Sequence, residues 1–270
     1  SYAGTGGWVQ GSGKVLFFFG CACDFPPKGL YYTYLHRGGS HMDYKRCWAE
    51  VDLSALSHNY RCIRRYMTPG CRYLAIVKAD GYGHGAATVA TLLQKEGADW
   101  FGVATLEEAL DLRRQGIYRP ILVLGYTDPA AAPILASNTI TQTLFSEEYA
   151  LQLAAEAAKA GCVVDCHVKI DTGMSRLGFD AESDGTVPLV ETLAQSGSLH
   201  ITGIFTHFAV ADEDTPVSRD FTRLQFERFM RVCNRLQADG VEVGLRHCCN
   251  SAGTLLHPDY HLDMLSLIHI

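Results

Sequence analysis

From residue 72 onward, short apolar runs alternate with longer segments in which apolar positions recur every three or four residues. The short runs are rich in β-branched residues and predict buried strands, whereas the longer spacing predicts amphipathic helices. The predicted strands cover residues 73–78, 101–105, 120–125, 139–145, 163–171, 200–208 and 245–250. The predicted helices cover residues 86–96, 105–115, 129–136, 147–160, 187–196 and 218–239.

The order of these elements indicates the fold class. The helix at 147–160 has the clearest ends, because Ser146 is a good N-cap and Gly161 a good stop. Strands that alternate with helices at this spacing imply a parallel sheet covered by helices. A Gly-x-Gly-x-x-Gly opening after a strand is lacking, which favours a (β/α)8 TIM-type barrel over a doubly wound sheet. We therefore assign the chain to the α/β class as a barrel.

Length, charge and composition exclude several classes of protein. At 270 residues the chain can form one barrel-sized domain, and its net charge of −6 argues against a nucleic-acid surface. No apolar run reaches the ~20 residues that span a bilayer, so we expect no membrane segment and a cytoplasmic protein. The ten cysteines stand in a long chain without a secretory signal. We expect them to be reduced thiols rather than disulfides or zinc ligands.

The first candidate catalytic residue is Lys78, which ends the first predicted strand and precedes glycines at positions 81, 83 and 85. A buried lysine must be paired or deprotonated, and desolvation lowers its pKa, which frees the amine to form a Schiff base. The alternative is a lysine whose ammonium reaches solvent before a glycine-rich turn. His84, in the same stretch, is interpreted as a structural histidine that hydrogen-bonds within the loop.

Other candidate residues follow later strands. Arg176 lies just beyond the fifth predicted strand, His207 follows the sixth, and Asn250 and Ser251 follow the seventh. Site residues of parallel barrels lie at the carboxyl ends of the strands. We therefore expect these side chains to meet Lys78 at one end of the barrel.

Five segments in the same order make the chain resemble the alanine racemases, which are pyridoxal-phosphate enzymes built on a barrel. The signature Val-Lys-Ala-Asp-Gly-Tyr-Gly-His-Gly at 77–85 resembles their cofactor-lysine motif. The other matching segments are residues 48–53 with His58 and Asn59, 169–178, 206–213 and 250–253. Together they fall within residues 45–264, so the resemblance covers most of the chain.

The resemblance implies how pyridoxal 5'-phosphate is held. Lys78 would carry the cofactor as a Schiff base and serve as the catalytic base on one face of the substrate α-carbon. Tyr82 would hydrogen-bond the cofactor phosphate, and Asn250 and Ser251 would form the phosphate-binding loop. His207 would lie against the cofactor ring. Taken alone, Tyr82 could be a packed aromatic, and the Ser-Ala-Gly turn could be only a helix cap.

The resemblance also implies a cationic group beside the cofactor. Arg176 would bind the phenolate oxygen of the cofactor or the substrate carboxylate, as the fixed fork of a guanidinium allows. Without the resemblance, Arg176 could equally be an arginine that forms an ion pair on the surface. Lys169 matches a lysine that is often carbamylated in the family and steers that arginine. Asp171 could have the same orienting role.

The activity implied is interconversion of L-alanine and D-alanine, which supplies D-alanine to peptidoglycan. The full-length enzyme is expected to be a homodimer with a small amino-acid substrate. In the family, a tyrosine from the C-terminal domain of the partner subunit serves the second face of the α-carbon. Because this chain does not extend into such a domain, we expect the 270-residue polypeptide to racemise weakly or not at all.

The resemblance divides the chain into three parts. Residues 1–41 do not match the family and are expected to be a poorly ordered extension. Residues 42–264 form the barrel domain. Residues 265–270 do not fit the family pattern and are interpreted as a non-native tail. We therefore expect an incomplete barrel that lacks its eighth strand and the C-terminal β domain.

Two other functions stay open. Serine racemases share these motifs, and decarboxylases with a related barrel fit them less well. A non-catalytic pyridoxal-phosphate carrier protein has the barrel alone. Such a carrier would complete an eighth strand with its own phosphate-loop residues, so the end of the chain is the feature expected to distinguish it.

Overall fold

The computed structural model describes residues 31–34 and 49–268, in which a ring of parallel strands is surrounded by helices. The strands are β1 (Tyr31–Tyr34), β2 (Ala49–Asp52), β3 (Arg72–Ile76), β4 (Trp100–Val103), β5 (Ile121–Val123), β6 (Ile140–Leu144), β7 (Val164–Asp171), β8 (Phe179–Asp180), β9 (Leu199–Phe205), β10 (Leu245–His247) and β11 (Met264–Ile268). The helices are α1 (Leu53–Tyr66), α2 (Lys78–Tyr82), α3 (Ala86–Glu96), α4 (Leu106–Arg114), α5 (Ala132–Ser137), α6 (Glu147–Ala160), α7 (Thr186–Ala194), α8 (Pro216–Ala238) and α9 (Ser251–Leu256). Short 3₁₀ turns precede α5 and follow α9, at Pro129–Ala131 and Pro258–Tyr260.

The barrel wall contains eight strands in the order β10-β9-β7-β6-β5-β4-β3-β11, all paired in parallel. The short strand β8 pairs with β7 beside this path. The ring nearly closes between β10 and β11. There, the Asp263 N–H donates to the Arg246 carbonyl (3.0 Å), and the Ser266 N–H donates to the Cys249 carbonyl (3.0 Å). The predicted TIM-type barrel is confirmed.

The prediction that the eighth strand is missing was wrong. Residues 264–268 form β11, which pairs with β3 along its whole length. The run Met-Leu-Ser-Leu-Ile alternates sides: Met264 packs inside the barrel, whereas Leu265 and Leu267 pack under the outer helices. All three are at most 1% exposed. This short apolar run therefore has the length and alternation of a barrel strand.

The pattern after residue 72 predicted the type of every long element. The helices at 86–96 and 147–160 have the predicted ends, and Ser146 accepts from the Tyr149 N–H as the N-cap. Apart from the short α2, whose backbone is a left-handed turn, two helices were not predicted. In α1, Asp52 caps the first turn by accepting N–H bonds from Ser54 (2.8 Å) and Ala55 (3.1 Å). The six-residue α9 is too short to give a periodic signal.

The core has two layers. The larger lies between the outer face of the barrel and the helices. The smaller fills the barrel interior and is apolar on the side of β3, β4, β5 and β11, where it contains Leu74, Ile76, Trp100, Leu122 and Met264. On the opposite side the interior is polar, because His167 contacts the Trp100 ring and hydrogen-bonds to His247.

The N-terminal region is described in part. Strand β1 pairs antiparallel with β2, so residues 31–34 of the expected extension form a strand. The other residues of 1–41, and Trp48, lie outside the described residues. Within the described ranges, no helix is long and apolar enough to cross a bilayer. The cysteines there are free thiols, at positions Cys62, Cys71, Cys162, Cys166, Cys233, Cys248 and Cys249.

Candidate active site

The predicted site residues lie together at the carboxyl end of the barrel. Lys78 follows β3, Arg176 follows β7, and His207 follows β9, all at the same edge because the strands are parallel. Lys78, Lys169 and Arg176 are each near enough to His207 to lower the pKa of its imidazole by repulsion. The structure therefore brings one histidine and three basic side chains into one site.

The backbone after Lys78 is a left-handed turn. Ala79, Asp80, Gly81 and Tyr82 have φ values of 51°, 54°, 63° and 57°. For each non-glycine residue this conformation costs roughly 1–2 kcal/mol. The turn is closed by the Gly81 N–H, which donates to the Val77 carbonyl (2.9 Å). It places the Tyr82 ring centroid 6.0 Å from the Lys78 Nζ.

Side chains hold this turn from several directions. The Ala79 N–H donates to the Glu108 Oε1 (2.7 Å), and the Ala86 N–H donates to the Asp80 Oδ1 (2.8 Å). The His84 Nδ1 lies 3.0 Å from the Gly81 carbonyl oxygen. The interpretation of His84 as a structural residue of the loop is therefore confirmed.

Lys169 is a buried cation in the strand below the site. Its side chain enters the barrel with Nζ 5.4 Å from the centroid of the Phe205 ring, and the residue is 5% exposed. Burial and the nearby Arg176 lower its pKa to about 8, whereas Asp171 acts in the opposite direction. A substantial fraction of this amine is neutral at slightly alkaline pH.

Asp171 shapes the loop that carries Arg176. Its Oδ1 accepts the N–H groups of Gly173 (2.9 Å) and Ser175 (3.0 Å). The carboxylate thus fixes the backbone immediately before Arg176. Arg176 itself is exposed at the mouth of the barrel, where its guanidinium can meet a ligand.

His207 is held neutral. Burial is the largest cause, and Lys169, Arg176 and Lys78 add repulsion, which together lower its pKa to about 4. Its carbonyl accepts a hydrogen bond from the Gln225 Nε2 (3.3 Å). At neutral pH this imidazole is an uncharged, flat surface within a cationic site.

Asn250 and Ser251 begin α9 and already have structural partners. Asn250 Oδ1 accepts the Gly253 N–H (2.8 Å), so Asn250 is the N-cap. Ser251 Oγ accepts the Ile268 N–H (3.1 Å), which joins α9 to β11. Asn250 therefore caps α9, and the phosphate role of both residues stays a prediction. Tyr82 is 36% exposed, and burial of its ring raises the pKa of its hydroxyl.

Sequence reasoning missed two features of the site. Glu108 contacts the lysine turn, and its spacing from Thr105 (Thr-x-x-Glu) is the capping-box signature that could have identified it. The second is a buried histidine pair below Lys169. There, the His167 Nδ1 lies 3.1 Å from the His247 Nε2. Burial lowers the pKa of His167 to about 3 and that of His247 well below its usual range.

The side chains present suit pyridoxal phosphate. The basic groups of Lys78, Lys169 and Arg176 lie within electrostatic range of the neutral His207 imidazole, and this concentration of positive charge favours an anionic ligand. The half-buried amine of Lys78 suits an aldehyde. In the part of the chain that the structure describes, no cluster of side chains has the composition of a metal site. An aldehyde that carries a phosphate would fit the amine and the cationic groups together.

Comparison with known proteins identifies the family. Residues 51–267 match the family model for the N-terminal domain of alanine racemase. The chain is 45% identical over 218 residues to the alanine racemase of Desulfovibrio desulfuricans, covering 81% of this chain and 57% of that protein. It is 44% identical over 218 residues to the alanine racemase of Symbiobacterium thermophilum, covering 81% of this chain and 56% of that protein. The chain thus spans about 57% of the length of the first of these relatives.

Solved structures give the same result. The alanine racemase of Clostridium difficile 630 in complex with cycloserine aligns with a TM-score of 0.76 at 36% identity, covering 80% of this chain and 58% of that chain. The alanine racemase of Bacillus anthracis with bound L-Ala-P aligns with a TM-score of 0.74 at 29% identity, covering 80% of this chain and 55% of that chain. The protein therefore belongs to the alanine racemase family, and the matched part is the N-terminal barrel domain.

Proposed function

We propose that this protein is a pyridoxal-phosphate-dependent racemase that interconverts L-alanine and D-alanine in the cytoplasm and supplies D-alanine for peptidoglycan. The observation that carries the proposal is that Lys78, Arg176 and His207 follow parallel strands at one edge of the barrel, with the Lys169 side chain buried beside them. The names of the relatives, at 45% and 44% identity, support alanine as the substrate.

The residues have separate tasks in this reaction. Pyridoxal phosphate, when bound, supplies an aldehyde for an amine and an electron-withdrawing ring that acidifies the α-carbon of an amino acid. Lys78 would hold the cofactor and then remove or return the α-proton at Nζ, on one face of the substrate. Arg176 would bind the substrate carboxylate or the phenolate oxygen through paired N–H groups.

The remaining residues orient the bound groups. His207, uncharged at neutral pH, would lie against the cofactor ring without adding to the positive charge of the site. Tyr82 and the Asn250–Ser251 turn would hold the phosphate. Lys169, whose pKa is lowered to about 8, would react with carbon dioxide as the neutral amine. The resulting carbamate would replace a repulsion with an attraction to Arg176.

Racemisation needs a second proton-transferring group on the opposite face of the α-carbon. The family resemblance assigns it to a tyrosine of a second domain in the partner subunit, and this chain matches only 57% of the length of the Desulfovibrio desulfuricans relative. We therefore propose that the whole protein works as a homodimer and that the 270-residue polypeptide alone exchanges the α-proton much faster than it racemises.

The carrier-protein alternative is less well supported. A completed eighth strand was the feature expected of a carrier, and β11 provides one. The relatives at 45% and 44% identity are nevertheless named alanine racemase. The sequence similarity therefore favours the racemase.

Deuterium exchange tests the proposal. The 270-residue chain is incubated in D₂O with pyridoxal phosphate and either L-alanine or D-alanine, and α-deuterium is followed by NMR. We expect exchange of one enantiomer with its configuration retained, lost in Lys78→Ala and kept in Lys159→Ala, whose side chain is 76% exposed. The enantiomers of serine are tested in parallel. Faster exchange of serine would contradict alanine preference, and formation of the opposite enantiomer as fast as deuterium enters would contradict a single base.

A further inference from the structure

One carboxylate links the ends of two neighbouring barrel strands at the candidate site. The Ala79 N–H donates to the Glu108 Oε1 at 2.7 Å, and the Ala104 N–H donates to the Glu108 Oε2 at 2.7 Å. Ala79 directly follows Lys78, and Ala104 directly follows β4. Glu108 therefore fixes the position of the backbone after Lys78 relative to the adjacent strand.

The turn that receives this contact needs external support. Ala79 and Asp80 adopt left-handed φ values of 51° and 54° although neither is glycine. Such conformations persist only where surrounding groups determine them. Glu108 accepts the N–H of Ala79, which is the first residue of the turn with a left-handed backbone. Loss of that contact would release the residue that connects Lys78 to the turn.

The position of Glu108 in α4 explains how it reaches both amides. Thr105 is the N-cap of α4 and accepts the Glu108 N–H (3.3 Å). In a capping box, the glutamate at this position reaches back to the N-cap amide. Here its carboxylate instead reaches one residue further, to Ala104, and across to Ala79. An ionised carboxylate can accept both N–H groups, whereas an amide side chain has only one acceptor oxygen.

We propose that Glu108 is a positioning residue that holds the left-handed turn after Lys78 and thereby sets where the lysine amine enters the site. The role in catalysis rests on the proposed function, because it assumes that Lys78 carries the cofactor. The structural part, that Glu108 holds the turn, is independent of any cofactor. The two parts are therefore tested by separate measurements.

The variants are Glu108→Ala, which removes both contacts, and Glu108→Gln, which keeps one acceptor. Glu107→Gln is the matched control. It makes the same change of charge in the first turn of α4 at an exposed residue. Circular dichroism and the hydrogen exchange of α6 establish that each variant is folded.

Hydrogen exchange in the protein without cofactor tests the structural part. We expect amides of residues 77–86 to exchange about tenfold faster in Glu108→Ala, with a smaller increase in Glu108→Gln. The Glu107→Gln variant should match the wild type. Unchanged exchange at 77–86 in a folded Glu108→Ala variant overturns the proposal.

Capture of pyridoxal phosphate tests the positioning role. Borohydride fixes the cofactor to the reacting lysine, and peptide mass spectrometry then gives the rate at which Lys78 is labelled. We expect labelling about tenfold slower in Glu108→Ala, partly restored in Glu108→Gln. If Glu108→Ala shows faster hydrogen exchange in the turn but labels Lys78 at the wild-type rate, the positioning role is overturned. Absence of labelling in the wild type contradicts the proposed function instead and leaves the hydrogen-exchange result decisive for Glu108.

Discussion

At the scale of single residues, Lys169 adds a buried positive charge to a site that already contains Arg176. It is 5% exposed and lies near Arg176, which with burial lowers its pKa to about 8. The unfolded chain holds this proton up to about pH 10.5. Below pH 8 the folded protein therefore carries the full cost of a buried, repelled cation, about 3 kcal/mol. That cost falls as pH rises from 8 to 10.5.

This predicts that Lys169→Met stabilises the cofactor-free chain. In buffer free of carbon dioxide at pH 7, the free energy of unfolding in urea should rise by up to about 3 kcal/mol. The gain should shrink when the measurement is repeated at pH 9. Lys159→Met, at an exposed lysine, should change little. A Lys169→Met variant no more stable than the wild type at pH 7 would show that the cation is already compensated.

The candidate site residues could be named from the sequence, whereas the residues that hold them in place could not. Lys78 was singled out because it ends a buried strand before three glycines, and the resemblance to the cofactor-lysine motif assigned its role. The role of Glu108 depends on a contact between α4 and the turn after β3, separated by 29 residues. Hydrophobic periodicity carries no information on such a contact. Similarly, His167 and His247 are 80 residues apart and meet only when the barrel forms.

At the scale of secondary-structure elements, β7 and β9 approach closely inside the barrel because Gly203 has no side chain. A Cβ atom at Gly203 would lie 2.5 Å from the His167 Nε2, well inside contact distance. The imidazole is confined by Trp100 and His247, so it has little freedom to move away. The glycine therefore determines how the histidine pair fits between these strands.

Gly203→Ala is thus expected to destabilise the barrel by about 1–3 kcal/mol or to prevent folding. Gly185→Ala is a suitable control, because its Cβ would meet only the Ser183 Oγ at 3.6 Å. Thermal unfolding of the three proteins gives the comparison. If Gly203→Ala unfolds at the same temperature as Gly185→Ala, the packing of His167 against β9 is looser than the structure indicates.

Periodicity predicted the long elements well and the short ones poorly. The helices at 86–96 and 147–160 have strong caps and apolar faces, which local sequence determines. Strand β11 was wrongly excluded because its residues were compared with a few short motifs, although the family match extends to residue 267. Its five residues are nevertheless apolar enough to pair with β3. Alternation, rather than a motif match, is what a barrel strand requires.

At the scale of the whole molecule, the parallel barrel gathers residues that are far apart in sequence. Lys78 and His207 are 129 positions apart in the printed sequence, yet they interact electrostatically at one barrel edge. Glu108, Asp171 and Asn250 then hold the backbone of three separate loops at that edge. We propose that these described residues already assemble a cofactor site around Lys78.

Titration of the purified 270-residue chain with pyridoxal phosphate tests this claim most directly. The visible absorbance band of the bound cofactor is followed in the wild type, Lys78→Ala and Lys159→Ala. We expect a saturable band in the wild type and in Lys159→Ala that is lost in Lys78→Ala. A band retained in Lys78→Ala, or no saturable band in the folded wild-type chain, would contradict it.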